Sequence, residues 1–168
     1  MTTTKRFKLI SEDGHEFIIS KVALRASKFI VDKLAEAGIT EENCETMDPI
    51  LVPFHHVLVK QCVDWLNHHQ CDAPKTRKIK YKHFSKWDKK FFKMESGELF
   101  ALLNASHALG IDELMNMGCA VAAELIRGKN VEEIRKIYGI KSDEEQMEEL
   151  LANGGEGTST MTFTVEKY

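Results

Sequence analysis

A chain of 168 residues, 43% hydrophobic and with a formal net charge of -3 at pH 7, has room for one domain with a modest core, or for a small domain carrying an appended helical piece. That charge gives no general attraction to nucleic acid or to an anionic membrane, and no run of about 18 apolar residues stands ready to cross a bilayer. Cys44, Cys62, Cys71 and Cys119 form no CxxC pair and suit free thiols, and "MTTTKRFKLI" has no apolar secretory stretch, so the expected setting is reducing: cytoplasmic, nuclear or both.

In "RFKLISEDGHEFIIS", Phe7 and Leu9 alternate with other residues, Asp13-Gly14 supplies a turn, and Phe17 and Ile19 resume the alternation. The pattern predicts a two-stranded hairpin with one buried face. Ser20 then stands as cap to "KVALRAS" and Ser27 as cap to "KFIVDKLAEAG", where Phe29, Ile30, Lys33 and Leu34 follow helical spacing and Gly38 provides a left-handed stop. "PILVPF" is too short for a helix, rich in β-formers and bounded by proline, which suits a short strand at a sheet edge. "HHVLVKQCVDWLNHH" sets Val59, Val63 and Leu66 on one stripe with Leu58, Cys62 and Trp65 beside it, an amphipathic helix.

Residues 75–93, "KTRKIKYKHFSKWDKKFFK", interrupt the apolar rhythm with positive charge and are expected to form a basic linker over the surface; such runs are solvated more often than they bind phosphate. Beyond them the pattern is helical. Ser96 opens a helix carrying Leu99, Phe100, Leu102, Leu103, Ala105 and Ala108, and Asp112 caps another carrying Leu114, Met115, Val121, Ala122, Leu125 and Ile126, stopped at Gly128. Asn130 three before Glu133, and Ser142 three before Glu145, are reciprocal start signals for two short helices, which are marginal alone and need something to pack on. Residues 153–168 lose periodicity at their glycines and are expected to form a flexible tail; the GGEG within them lacks the strand, lysine and third glycine of a phosphate-binding loop.

Candidate chemistry is sparse. His68, His69, Cys71 and Asp72, with Cys62 near by, are the best metal set, but adjacent histidines diverge on a helix and no second ligand pair stands at zinc-finger spacing, so solvated residues at a helix end are expected and no metal. His55 and His56 could act as acid-base groups, yet no serine elbow or glycine-flanked cysteine accompanies them. Cys119 lies among apolar residues, the setting of an inert packed thiol. Glu144, Glu145, Glu148 and Glu149 crowd one short helix without partner carboxylates for a cation loop, which marks a solvated face. No catalytic set and no cofactor emerge, and the chain reads as a non-enzyme.

The order of these elements and the strings "SEDG", "VPF", "VDWLNHH", "WDKKFF", "SGELFALLNASHALGI" and "LIRGKNVEEIRKIYGIKSD" resemble the Skp family, the S-phase kinase-associated adaptors of SCF ubiquitin ligases, in the manner of the divergent Skp-related paralogues of nematodes. The likeness runs from about Phe7 to Asp143, far beyond one short motif. It implies an α/β (α+β) fold: a BTB/POZ part at 5–74, the basic linker at 75–93, the last POZ helices at 94–127, a C-terminal helical extension that binds F-box domains at 128–152, and the tail at 153–168. It further implies a non-catalytic adaptor that links F-box substrate receptors to a cullin for ubiquitin-dependent degradation, with neither nucleic acid nor membrane as partner. On the F-box side the implied contacts are Leu99, Phe100, Leu103, Ala122, Leu125, Ile126, Ile134, Ile137, Tyr138 and Ile140; on the cullin side they are His107 and Ala108. The residues agree for the F-box side, since so much dispersed apolar surface exceeds what one small lobe can bury, while Leu102, Leu114 and Val121 read as core.

The chain also departs from the family pattern. Typical members carry an asparagine-tyrosine pair in "AANYLDI" where this chain has His107-Ala108 in "ASHALGI", with Gly110 in place of the acidic residue. An aromatic anchor at an interface contributes about 2 kcal/mol, so its loss corresponds to roughly tenfold to a hundredfold in affinity. Two readings stay open: a bridging adaptor, or a divergent paralogue that holds F-box proteins, or self-associates as a homodimer, without recruiting a cullin. Asn130-Val131 replaces the usual threonine-proline while keeping a helix cap, and the tail lacks the tryptophan-cysteine segment on which the family closes, with Met161 and Phe163 as its apolar residues after a glycine-rich approach that does not favour the same geometry.

Overall fold

Strand alternation sets the register from which the rest is built. In the computed structural model, which describes residues 6–72 and 80–152, β1 (Arg6–Ser11) pairs antiparallel with β2 (Glu16–Ser20), Phe7 opposite Ile19 and Leu9 opposite Phe17. These four side chains share one face; Phe7, Leu9 and Ile19 are buried and Phe17 half-buried. Gly14 makes the turn at φ 86°. The predicted edge strand is β3 (Ile50–Val52), parallel to β1 with Ile50 beside Leu9, which gives the order β2-β1-β3. Residues 75–79 of the basic stretch and the tail at 153–168 lie outside the described residues.

Between β2 and β3 run α1 (Lys21–Leu24) and α2 (Lys28–Glu36). Their serine caps are both in place: Ser20 Oγ accepts from Ala23 N–H at 3.2 Å and Ser27 Oγ from Ile30 N–H at 3.4 Å. Helix α3 (His56–His68) buries Val59, Cys62, Val63, Trp65 and Leu66 and packs against β2 and against α5 (Ser96–Ala108). In turn α5 packs on α6 (Asp112–Ile126), and Leu102, Leu114 and Val121 are core residues. Helix α5 opens at Ser96 as expected, with Glu95 before it in a capping box with Glu98, whereas α6 differs from expectation by one residue, since Ile111 and not Asp112 precedes it. Asp112 lies inside the first turn instead, where a negative charge also suits the exposed amides, and pairs with Lys28 at 2.6 Å.

Two glycines set how closely these helices approach. A Cβ on Gly118 would meet Leu103 Cδ2 at 2.7 Å, so α5 and α6 touch there through a position without a side chain. At the α5–α6 turn, Gly110 has φ 62°, and a Cβ would fall 2.8 Å from Lys28 Cβ. Gly110 therefore stands where the backbone is left-handed and pressed against the start of α2. Ser27 Oγ donates to Leu109 O at 2.6 Å across the same contact.

The basic stretch corrects the linker expectation from Tyr81 onward. A 3-10 turn at Tyr81–His83 leads into α4 (Lys86–Phe91), capped by Ser85 with Asp88 in a reciprocal box. Phe84 and Phe92 are buried, and Tyr81, Trp87 and Phe91 pack against the core. The aromatics recur at helical spacing beneath lysines that stay solvated, and burial of the rings outweighs the charge run that dominates the composition.

The chain divides into two units, through Arg127 and from Gly128. In the second unit, α7 (Val131–Tyr138) and α8 (Asp143–Ala152) start as predicted. Asn130 Oδ1 accepts from Glu133 N–H at 2.8 Å while the Glu133 carboxylate accepts from Asn130 N–H at 3.0 Å, and Ser142 and Glu145 repeat the exchange at 3.1 and 2.8 Å. Gly139, left-handed at φ 63°, ends α7, and Ile140 N–H reaches back to Arg135 O at 2.8 Å. None of the described side chains of this unit is buried.

Ser27→Ala removes a buried donor to Leu109 O and the cap of α2 together. A loss of about 1–2 kcal/mol in unfolding free energy is expected, measured as a lower urea midpoint at unchanged slope.

Candidate functional site

The residues singled out as the best metal set are structural. His69 Nδ1 lies 2.7 Å from Asp72 Oδ2 and Nε2 lies 2.9 Å from Asp88 Oδ1, with the His69 and Asp88 side chains only 7% and 6% exposed. The His69 ring packs on Trp65 at 4.4 Å between centroids, and His68 stacks flat on Trp87 at 3.7 Å. Both ring nitrogens of His69 are thus engaged by carboxylates, and the expectation of solvated residues at a helix end is corrected: the group clamps the end of α3 to α4. Cys62 is buried, and desolvation pushes its thiol up to about 12, which keeps it from acting as a thiolate. Cys71 is exposed, and so is Cys119, contrary to the packed position expected of it; the inward neighbour on α6 is Gly118. Glu144, Glu145, Glu148 and Glu149 are all exposed. The backbone and side chain of Ser142 hold the Glu145 carboxyl below the usual carboxylate range.

The apolar residues assigned to a partner divide between the two units. In the first, Leu99 is corrected to the core: only 1% exposed, it lies in the same buried cluster as Leu102. Phe100, the next residue, faces out, while Leu103, Ala122, Leu125 and Ile126 are half-buried along α5 and α6. His107 and Ala108 are exposed in the last turn of α5. In the second unit Ile134, Ile137 and Tyr138 are half-buried and Ile140 is exposed.

Further residues join this second surface that the sequence did not single out. Met147, Leu150 and Leu151 on α8 are exposed, Leu151 by 76%, as is Val131 at the start of α7. Positions 147, 150 and 151 share one helix face, a spacing visible in the sequence but hidden among Asp143, Glu144, Glu145, Glu148 and Glu149.

A small mixed sheet layered with helices that leave apolar side chains exposed defines a mixed α/β protein. Comparison with known proteins identifies which kind. Residues 112–153 match a family model described as the Skp1 family, dimerisation domain. The chain is 31% identical over 147 residues to a Skp1-related protein of Caenorhabditis elegans, covering 83% of this chain and 82% of that protein. It is 31% identical over 149 residues to the E3 ubiquitin ligase complex SCF subunit sconC of Arthroderma benhamiae, covering 84% and 87%. With the suppressor of kinetochore protein 1 of Schizosaccharomyces pombe it shares 31% over 146 residues, covering 82% and 87%. The chain belongs to the Skp1 family. Its fold is accordingly the BTB/POZ α/β arrangement with a C-terminal helical extension.

Two outcomes are expected. Asp88→Ala strips His69 of a buried partner and α4 of its capping box, with a loss of about 2–4 kcal/mol in chemical denaturation. Because the folded-state pKa of Glu145 lies below its unfolded value, its contribution is complete above the carboxylate range and is lost as pH falls through it. The Cα chemical shifts of residues 143–152 should therefore drift toward random-coil values between about pH 5 and pH 3, and less so in Glu145→Gln.

Proposed function

We propose that this chain is a non-catalytic adaptor subunit of an SCF ubiquitin ligase, joining F-box substrate receptors to a cullin. The observation that carries the reading is the second unit: two short, well-capped helices and the turn between them, whose described residues include no buried side chain, yet which expose Ile140 in the turn and Met147, Leu150 and Leu151 on α8. Helices of eight and ten residues gain little stability alone, and an apolar stripe of this kind is satisfied by an amphipathic partner laid against it. Phe100 and half-buried Leu103, Leu125 and Ile126 offer a second apolar surface on the first unit. The relative named as an SCF subunit supports the same role.

No bond-breaking group is required of such a subunit. It raises the effective concentration of a receptor's substrate at the ligase by holding receptor and cullin in one assembly. The cullin contact falls to the exposed end of α5, where Ala108 supplies a methyl group in place of the family's tyrosine ring. Since Ala108 is exposed, a larger side chain can be accepted there without disturbing the core.

Titrating the purified chain with an F-box domain and, separately, with the N-terminal part of an SCF-type cullin tests the reading. F-box binding is expected, and Ile140→Asp combined with Leu151→Asp should weaken it at least tenfold. Cullin binding is expected to be weak and to strengthen by roughly tenfold to a hundredfold in Ala108→Tyr. Absence of F-box binding overturns the proposal; F-box binding with no cullin binding by either form would make the chain a holder of receptors and remove the bridging role.

A further inference from the structure

The hairpin turn and the start of α3 bring together groups for which the adaptor role has no use. Asp13 Oδ1 accepts the His56 backbone N–H at 2.9 Å, a tertiary cap on α3 from a residue 43 positions earlier. Its other oxygen, Oδ2, lies 2.5 Å from His56 Nδ1, 3.2 Å from His15 Nδ1 and 3.4 Å from His55 Nε2. The cap explains Oδ1 and one imidazole beside Oδ2 would complete the carboxylate, but three gather there. Nor does packing account for them, because the His15 and His55 side chains are 57% and 56% exposed. Asp13, His55 and His56 each offer one ligand atom, all within 4.8 Å of one another.

We propose that Asp13, His55 and His56 form a surface site for a divalent cation of the zinc type, with His15 holding the His56 ring in place by stacking at 4.2 Å. Imidazole nitrogen with one carboxylate oxygen is the borderline donor set that Zn(II) takes, and three protein ligands leave a fourth position for water. With metal–ligand bonds of about 2.0–2.1 Å in a tetrahedron, ligand atoms stand roughly 3.3–3.4 Å apart. The separation of Asp13 Oδ2 and His55 Nε2, 3.4 Å, already has this value, and that of Asp13 Oδ2 and His56 Nδ1 must open from 2.5 Å as the cation takes the place of the hydrogen between them and the neutral His56 ring carries its hydrogen on Nε2. Desolvation raises the Asp13 carboxyl, but hydrogen bonds from the Ser11 and His56 side chains and from backbone N–H groups outweigh it and hold it well below the usual range, so the carboxylate is already charged. The site is independent of the partner surfaces and of the His69 clamp, where both ring nitrogens are occupied.

The test is calorimetric titration of the untagged, chelator-stripped full chain with Zn(II) alone. One ion per chain with a micromolar dissociation constant is expected. His55→Ala and Asp13→Asn should each weaken it at least tenfold without changing the far-ultraviolet circular dichroism, while Cys71→Ser with Cys119→Ser leaves it unchanged. Cobalt(II) in the same site should give a visible spectrum without the thiolate charge-transfer band. Binding no tighter than millimolar, binding that survives His55→Ala, or binding lost with the two exposed thiols overturns the assignment.

Discussion

The hydroxyl of Ser27 holds the first unit together. Wholly buried, it accepts from Ile30 N–H to start α2 and donates to Leu109 O to fasten the α5–α6 turn, 82 residues away in the chain. A polar bond in so dry a place is costly to leave unmade, so it admits one docking of the turn and no sliding. Gly110 completes the contact by letting its backbone lie against Lys28. Once that turn is pinned, the rotation of α5 about its axis follows: Leu99 and Leu102 point inward, Phe100 and Ala108 outward.

What the sequence disclosed was local. The hairpin register, the serine caps at Ser20 and Ser27 and the reciprocal boxes at Asn130 and Ser142 depend on residues within a few positions of one another, and all could be read from spacing. What it concealed was tertiary. Helix α5 is apolar around most of its girth, so spacing could not tell that Leu99 belongs to the core; its packing against α3 on one side and α6 on the other decides that. The pairing of His69 with Asp88 spans 19 residues, and the anchoring rings of Phe84, Trp87 and Phe92 were masked by the lysines between them. On α8 the masking was acidic, and Met147, Leu150 and Leu151 escaped notice among five carboxylates.

The two units divide the physical tasks. Every buried apolar residue among those described lies between Phe7 and Val121, so the first unit owns the core. The second is held in shape by its caps, by the left-handed Gly139 and by ion pairs between Arg135 and Asp143 and between Lys141 and Glu149. Local devices of this kind order a helix before its partner arrives, and a surface already ordered gives up less conformational freedom on binding.

The clamp around His69 has a consequence for how this protein tolerates change. Asp72 before residues 73–79, and Trp87 and Asp88 after them, are both tied to the end of α3, so the chain on either side is anchored independently of what lies between. A change at any one of these three side chains is therefore felt at the end of α3 as well as at its own place in the chain, so the clamp couples stretches of sequence that would otherwise vary separately.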